Sequence, residues 1–370
     1  MPVPFVDLYA QYSSLKDEID AAIARTIANS SFVRGPDVEA FEAEYAELMQ
    51  AKHCVSAANG TDSLYIAMHA LGLKPGDEVI VPAQTWISTS ETVGQHGAKA
   101  VFVDIDPTTS TIDPNLIEEA ITDRTVGIIP VHLYGQAADM DPIMEIAKRR
   151  ALWVIEDCAQ AHLATYRGQQ VGTFGEISSW SFYPGKNLGA MGDAGAATTS
   201  SDDLARKMAR FARHGGINKG DHEIEGINSR LDGLQAAILR VKLPHLADWT
   251  EARRAVAARY DKLLADVPGI TTPTEVEGRG HVYHLYVIET ENRDALQAAL
   301  KAHGIPTVIN YRRALPFLPA YSDRGHTAND FPVAYRLQER ILSLPIYAEL
   351  SEAQQDEVVA GVRDAMNVEK

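Results

Sequence analysis

Between residues 53 and 199, short apolar runs alternate with helical stretches, and this alternation narrows the fold more than any other feature of the chain. The runs at 53–57, 78–82, 98–103, 125–131 and 152–156 are largely continuous in apolar character. Runs of that kind belong to strands buried on both faces, which predicts a parallel sheet with crossover helices on either side. Two more runs, at 177–182 and 194–199, bring the sheet to about seven strands in an α/β layer.

Amphipathic helices are predicted ahead of the sheet at 15–27, after a Ser14 cap, and at 38–49, after Pro36-Asp37. Behind it a long helical stretch runs from Leu231 to Leu264, with a kink expected at Pro244. A strand at 281–289, a helix at 293–303 and a last helix at 352–366 then predict a smaller α+β domain. A length of 370 residues fits two domains at ~150 residues each, here 1–245 and 246–370, with a helix bridging a soft boundary.

The net charge of −16 and the lack of any Lys/Arg-rich run argue against a nucleic-acid partner. Cys54 and Cys158 each sit in an apolar run and read as buried thiols, as in a reducing compartment. No run approaches the ~18 apolar residues of a membrane span, and the first residues carry no basic-then-apolar signal, so a cytoplasmic protein is expected.

In a parallel sheet, ligands collect beyond the carboxyl ends of the strands. Four such ends carry suggestive residues. Ala58-Asn59-Gly60-Thr61-Asp62 is a small-residue turn opening a helix, either a phosphate site or simply a capped helix. Trp86 follows the second strand, where its face can cover a planar ring or enter the core. Glu156 and Asp157 emerge straight from an apolar run, and buried carboxylates require partners. Lys186 lies beside Pro184 and Gly185 just past the sixth strand. Taken alone it is an ordinary loop lysine, but burial there makes it a nucleophile. A cofactor bearing a phosphate, a protonatable aromatic ring and an aldehyde needs all four groups together.

At these residues the chain resembles the DegT/DnrJ/EryC1/StrS family of sugar aminotransferases, fold-type I pyridoxal-phosphate enzymes, over nearly its whole length. The matching stretches are Asn59-Gly60-Thr61-Asp62-Ser63-Leu64, Glu156-Asp157-Cys158-Ala159-Gln160-Ala161-His162, Ser181-Phe182-Tyr183-Pro184-Gly185-Lys186-Asn187-Leu188-Gly189, and Asn228-Ser229-Arg230-Leu231-Asp232-Gly233-Leu234-Gln235-Ala236-Ala237. The resemblance implies a large, mixed but mostly parallel seven-stranded sheet domain and a smaller C-terminal α+β domain. It implies that Lys186 forms the Schiff base with pyridoxal 5'-phosphate, that Asp157 pairs with the ring nitrogen and that Gln160 contacts the ring hydroxyl. Gly60, Thr61 and Ser181 hold the phosphate and Trp86 stacks on the ring. Asn228 reaches the phosphate of a neighbouring subunit, so a homodimer is implied.

The same resemblance implies L-glutamate as amino donor, pyridoxamine 5'-phosphate between the half-reactions, and a nucleotide-linked keto sugar as acceptor. His162, Tyr183, Arg213, His214, Lys219, Arg230 and Tyr311 fall in or near stretches that face the sugar. The segment from Ile309 to Tyr321 resembles members acting at C3 of thymidine-diphosphate keto-deoxysugars, but Arg312 stands where Pro is usual. A cation there suits a diphosphate or a sugar carboxylate, which keeps open a uridine-diphosphate 3-keto-uronic acid, or action at C4. A lysine rather than a histidine at 186 separates an aminotransferase from the family's dehydratases, and a regulatory homologue is expected to lack Lys186 or Asp157.

Overall fold

Val79, Ile80 and Val81 are wholly buried in the second strand, as a strand covered on both faces requires. In a computed structural model, which describes residues 3–218 and 220–367, the strands are β1 (His53–Ala57), β2 (Glu78–Pro82), β3 (Lys99–Val103), β4 (Thr125–Ile128), β5 (Trp153–Asp157), β6 (Thr165–Tyr166), β7 (Gln169–Gln170), β8 (Ile177–Ser181), β9 (Gly195–Thr199), β10 (Arg279–Gly280), β11 (Tyr286–Glu289) and β12 (Ile341–Leu344). The main sheet has seven strands in the order β1-β9-β8-β5-β4-β2-β3. Only β9 runs against the others, pairing antiparallel with β1 and β8. Six strands therefore deliver their carboxyl ends to one rim.

Helices cover both faces. One core joins Phe41 and Tyr45 from the helix Pro36–Leu48 to Trp180 and Phe182, and a second joins Leu64 and Met68 to Val79 and Ile155. A separate cluster around Tyr260, Tyr286, Leu300 and Val358 forms the smaller unit, built on the antiparallel pair β11–β12. Val3 packs into this cluster, so the first described residues join the small unit rather than the sheet.

Several local expectations change. Ser14 caps no helix; it ends a short one, Leu8–Ser14, capped by Asp7 accepting from the Ala10 N–H at 2.8 Å. The strand expected at 281–289 starts only at Tyr286, because the Tyr283 N–H turns back to His281 Nδ1 at 2.9 Å. Pro244, with no N–H to give, sits in a 3₁₀ turn, Leu243–His245, between the helices Gly233–Lys242 and Leu246–Leu264. We place the soft boundary between the two units at that turn.

Candidate active site

The Asn59 side chain accepts from the Asp62 N–H at 2.8 Å and caps the helix Gly60–Leu71, leaving the free N–H groups of its first turn at the rim. Gly60 is packed so closely on β8 that a Cβ there would lie 2.7 Å from Ser181 Cβ, a distance no side chain tolerates. Thr61 Oγ1 lies 2.7 Å from Ser88 Oγ. A helix start, a glycine cradle and two hydroxyl side chains, Thr61 and Ser181, thus meet at one point, and this arrangement fits a phosphate.

Asp157 ends β5, which pairs in parallel with β8 at Ser179. It is 6 % exposed, and its oxygens accept from Thr89 Oγ1 at 2.9 Å and from the Ala159 N–H at 3.2 Å. Burial raises its pKa; the Thr89 and Ala159 bonds and the field of Lys186 oppose that rise. A cationic ring nitrogen is the partner such a carboxylate lacks. Lys186, half-buried after β8, has its amine pushed down to about 8, chiefly by desolvation and against the field of Asp157. A lysine at that value has a substantial unprotonated fraction near neutrality, as a Schiff-base lysine needs.

Trp86 is 57 % exposed, so it is a rim residue and not part of the core, and its ring lies 5.5 Å from that of Tyr311. Gln160 donates to Tyr311 Oη at 3.0 Å and accepts from the Tyr134 N–H at 2.6 Å. The Tyr134 hydroxyl donates to the Asn310 carbonyl and accepts from Gln84 at 3.1 Å. These bonds bring the segment at 310–311 from the small unit against the large one. Thr89, Gln84 and Tyr134 were missed in the sequence. A Tyr-Gly pair just past β4 was the available signal for Tyr134.

Glu156, the other carboxylate of the pair, serves the fold. It accepts from Gly172 N–H at 2.7 Å, from Phe174 and Gly175 N–H at 2.8 Å each, and from His132 Nε2 at 3.0 Å. His132 Nδ1 accepts from the Ala138 N–H at 3.0 Å, so both ring nitrogens are used. His132, Glu156 and Cys158 lie close enough together to suggest a metal cluster, yet the first two are already hydrogen-bonded and burial keeps the Cys158 thiol protonated.

His162 departs from its expected place facing the sugar. It is fully buried, its Nδ1 accepts from the Tyr45 hydroxyl at 2.8 Å and its Nε2 donates to the Ser181 carbonyl at 3.0 Å. Tyr183 is 58 % exposed at the mouth of the lysine loop. Arg213 is half-buried, 3.7 Å from Glu42, and His214 is exposed. Ser229 is buried and accepts from the Ala58 N–H at 3.0 Å, which sets its neighbours, exposed Asn228 and half-buried Arg230, beside the phosphate turn. Arg312 is exposed, with Asp294 4.0 Å away. Lys219 lies outside the described residues.

A carboxylate at the end of β5, a lysine in the loop after the adjacent β8 and a helix start beside them fit pyridoxal phosphate. The chain belongs to the DegT/DnrJ/EryC1/StrS aminotransferase family, whose profile matches residues 13–363. It is 47 % identical to a pleiotropic regulatory protein of Geobacillus stearothermophilus, over 98 % of each chain. It is 43 % identical to the dTDP-3-amino-3,4,6-trideoxy-alpha-D-glucose transaminase of Streptomyces venezuelae, over 98 % of this chain and 96 % of that one. Identity to the UDP-2-acetamido-2-deoxy-3-oxo-D-glucuronate aminotransferase of Pseudomonas aeruginosa is 44 %, over 95 % of this chain and 97 % of that one. Among solved structures, Streptomyces venezuelae DesV in complex with a ketimine intermediate superposes with a TM-score of 0.96 at 43 % identity, covering 99 % of this chain and 98 % of that one. The protein is an aminotransferase acting on nucleotide sugars with pyridoxal phosphate as cofactor. Among the described residues no helix is long and apolar enough to cross a membrane.

Proposed function

We propose that this enzyme moves the amino group of L-glutamate to C3 of a dTDP-linked 3-keto-6-deoxyhexose, working as a cytoplasmic homodimer. The observation that carries the reading of the site is the buried Asp157 carboxylate at the end of β5, held by the Thr89 hydroxyl and the Ala159 N–H, with Lys186 in the loop that follows the neighbouring strand β8. Gly60, Thr61 and Ser181 hold the cofactor phosphate, Trp86 covers the ring, and Gln160 meets its hydroxyl. Asp157 keeps the ring nitrogen protonated. Pyridoxal phosphate, when bound, accepts the electrons left as a substrate carbon loses its proton. Lys186 anchors the cofactor and, once displaced, carries that proton to and from the substrate. Asn228, exposed beside the turn, completes the phosphate site of a second subunit, while Tyr183, Arg213, His214, Lys219, Arg230, Tyr311 and Arg312 line the sugar's approach.

The choice of C3 is supported by relatives whose names place the new amine or the keto group there, on both dTDP and UDP sugars. A second reading, a UDP-linked 3-keto-uronic acid, is favoured by the exposed Arg312, a cation suited to a sugar carboxylate. The pyridoxamine form incubated with a panel of dTDP- and UDP-linked 3-keto and 4-keto sugars tests this. Amination of the dTDP 3-keto sugar alone is expected, and a product aminated at C4 or on a UDP uronate overturns it.

A further inference from the structure

The helix Gly233–Lys242 turns one side to the loop that carries Lys186. Gln235 and Lys242 stand two helical turns apart and so project from the same face. The Gln235 amide oxygen accepts from the Met191 N–H at 2.8 Å, and its amide nitrogen donates to the Met191 carbonyl at 3.3 Å. Lys242 Nζ donates to the Gly189 carbonyl at 2.8 Å. Lys242 is 3 % exposed, and burial pushes its amine down to about 8 against the field of Glu349. A buried amine requires an acceptor, and the loop supplies it. The loop itself is closed. The Ala190 N–H donates to the Phe182 carbonyl and the Lys186 N–H to the Tyr183 carbonyl, each at 2.8 Å. Gly189 packs so tightly on Pro184 that a Cβ would come within 2.2 Å of the Pro184 carbonyl oxygen. A shift of Gly189 therefore displaces Pro184 and, with it, Lys186.

The helix is in turn fixed at both ends. Arg240 donates through Nε to Glu44 at 3.0 Å and through Nη1 to Asp37 at 2.7 Å, on the helix Pro36–Leu48. Ser229, in the segment that leads into the helix, accepts from the Ala58 N–H at 3.0 Å beside the phosphate turn. We propose that Gln235 and Lys242 are positioning residues for Lys186: they clamp the backbone at Met191 and Gly189, so that one segment, 229–242, holds the phosphate turn and the lysine loop in register. The inference rests on the reading that Lys186 carries the cofactor. Asn187 ties the middle of the loop to the small unit through the Val282 carbonyl at 3.0 Å, and the helix ties its exit to the large one.

The test combines amide hydrogen exchange of the full-length enzyme, read by peptide mass spectrometry, with steady-state turnover. Lys242→Met nearly keeps the side chain's length and removes the donor, and Gln235→Leu removes both bonds to Met191. Gln235 is half-buried, so its variant is expected to fold even where Lys242→Met does not. In each variant the peptides covering 182–192 are expected to exchange about tenfold faster, while those of β8 and of the helix Pro36–Leu48 keep their wild-type rates. Turnover is expected to fall about tenfold in kcat with little change in either KM, because the displaced group is the proton carrier. Gln235→Glu keeps an oxygen for the Met191 N–H and is expected to restore most of the slow exchange. Loop exchange unchanged in whichever variants fold, or raised only together with β8 and the helix, overturns the proposal. Faster loop exchange with wild-type kcat overturns it as well. Borohydride treatment of the wild-type enzyme separates this result from the reading beneath it, since it shows which lysine carries the cofactor whatever the exchange rates are.

Discussion

Thr89 donates its hydroxyl to Asp157 Oδ2 at 2.9 Å, and both side chains are buried. Thr89 belongs to the helix Ser88–Gln95, which follows β2, whereas Asp157 ends β5, so the bond ties together two segments far apart in sequence. A hydrogen bond to a charged group contributes about 1.5–3 kcal/mol. Thr89→Val preserves shape and removes the donor. It is expected to retain cofactor but slow turnover about tenfold, because the carboxylate then holds its charge less well. Steady-state kinetics with the absorbance of bound cofactor check this, and wild-type turnover contradicts it.

The close approach of Gly60 to Ser181 leaves no room for a Cβ, which would sit 2.7 Å from Ser181 Cβ. Gly60→Ala is therefore expected to displace the turn that meets the phosphate and to weaken cofactor binding about tenfold or more, a loss of roughly 1.4 kcal/mol. Equilibrium dialysis of the cofactor measures the effect, and retention equal to wild type shows that the turn does not bear on the phosphate.

Burial lowers the Lys186 amine from 10.5 to about 8. A base must first lose its proton. Single-turnover transfer from the pyridoxamine form to the sugar is thus expected to rise with pH, close to tenfold per unit at first, and to level off above about 8. A rate that falls with pH across this range contradicts Lys186 as the proton carrier.

His162 is expected to matter for stability and not for sugar binding. Burial drops its pKa from 6.5 to about 3, so the folded state refuses a proton that the unfolded chain accepts. Its contribution to stability is whole above 6.5 and declines as pH falls toward 3. His162→Phe leaves the Tyr45 hydroxyl and the Ser181 carbonyl unpaired and should destabilise the protein by about 1–3 kcal/mol at neutral pH, read from urea unfolding. A change confined to the KM of the sugar restores the substrate role.

The sheet was legible because strands buried on both faces are made mostly of apolar and small residues, and six of the seven strands fall within one residue of the runs that announce them, the fourth being the exception. That run, at 125–131, ends as a regular strand at Ile128, two residues before Pro130, which has no N–H to give, but its backbone stays paired beyond: the Ile129 N–H donates to the Ile80 carbonyl at 2.8 Å and Val131 bridges Asp157. Lys186, Asp157 and Gly60 could be picked out because each stands at a strand end with a distinctive neighbour. Thr89 and Gln84 could not, for their contacts with Asp157 and Tyr134 reach across the fold and leave no local pattern. His162 could not be placed from sequence, because its position in a stretch near the site does not say that its ring is buried between Tyr45 and the Ser181 carbonyl.

The central claim is that Lys186 carries the cofactor. Purified protein should be yellow, and borohydride should abolish the colour and leave one peptide, containing Lys186, heavier by the reduced cofactor. Loss of colour with Lys186 unmodified, or with the added mass on another lysine, contradicts the account.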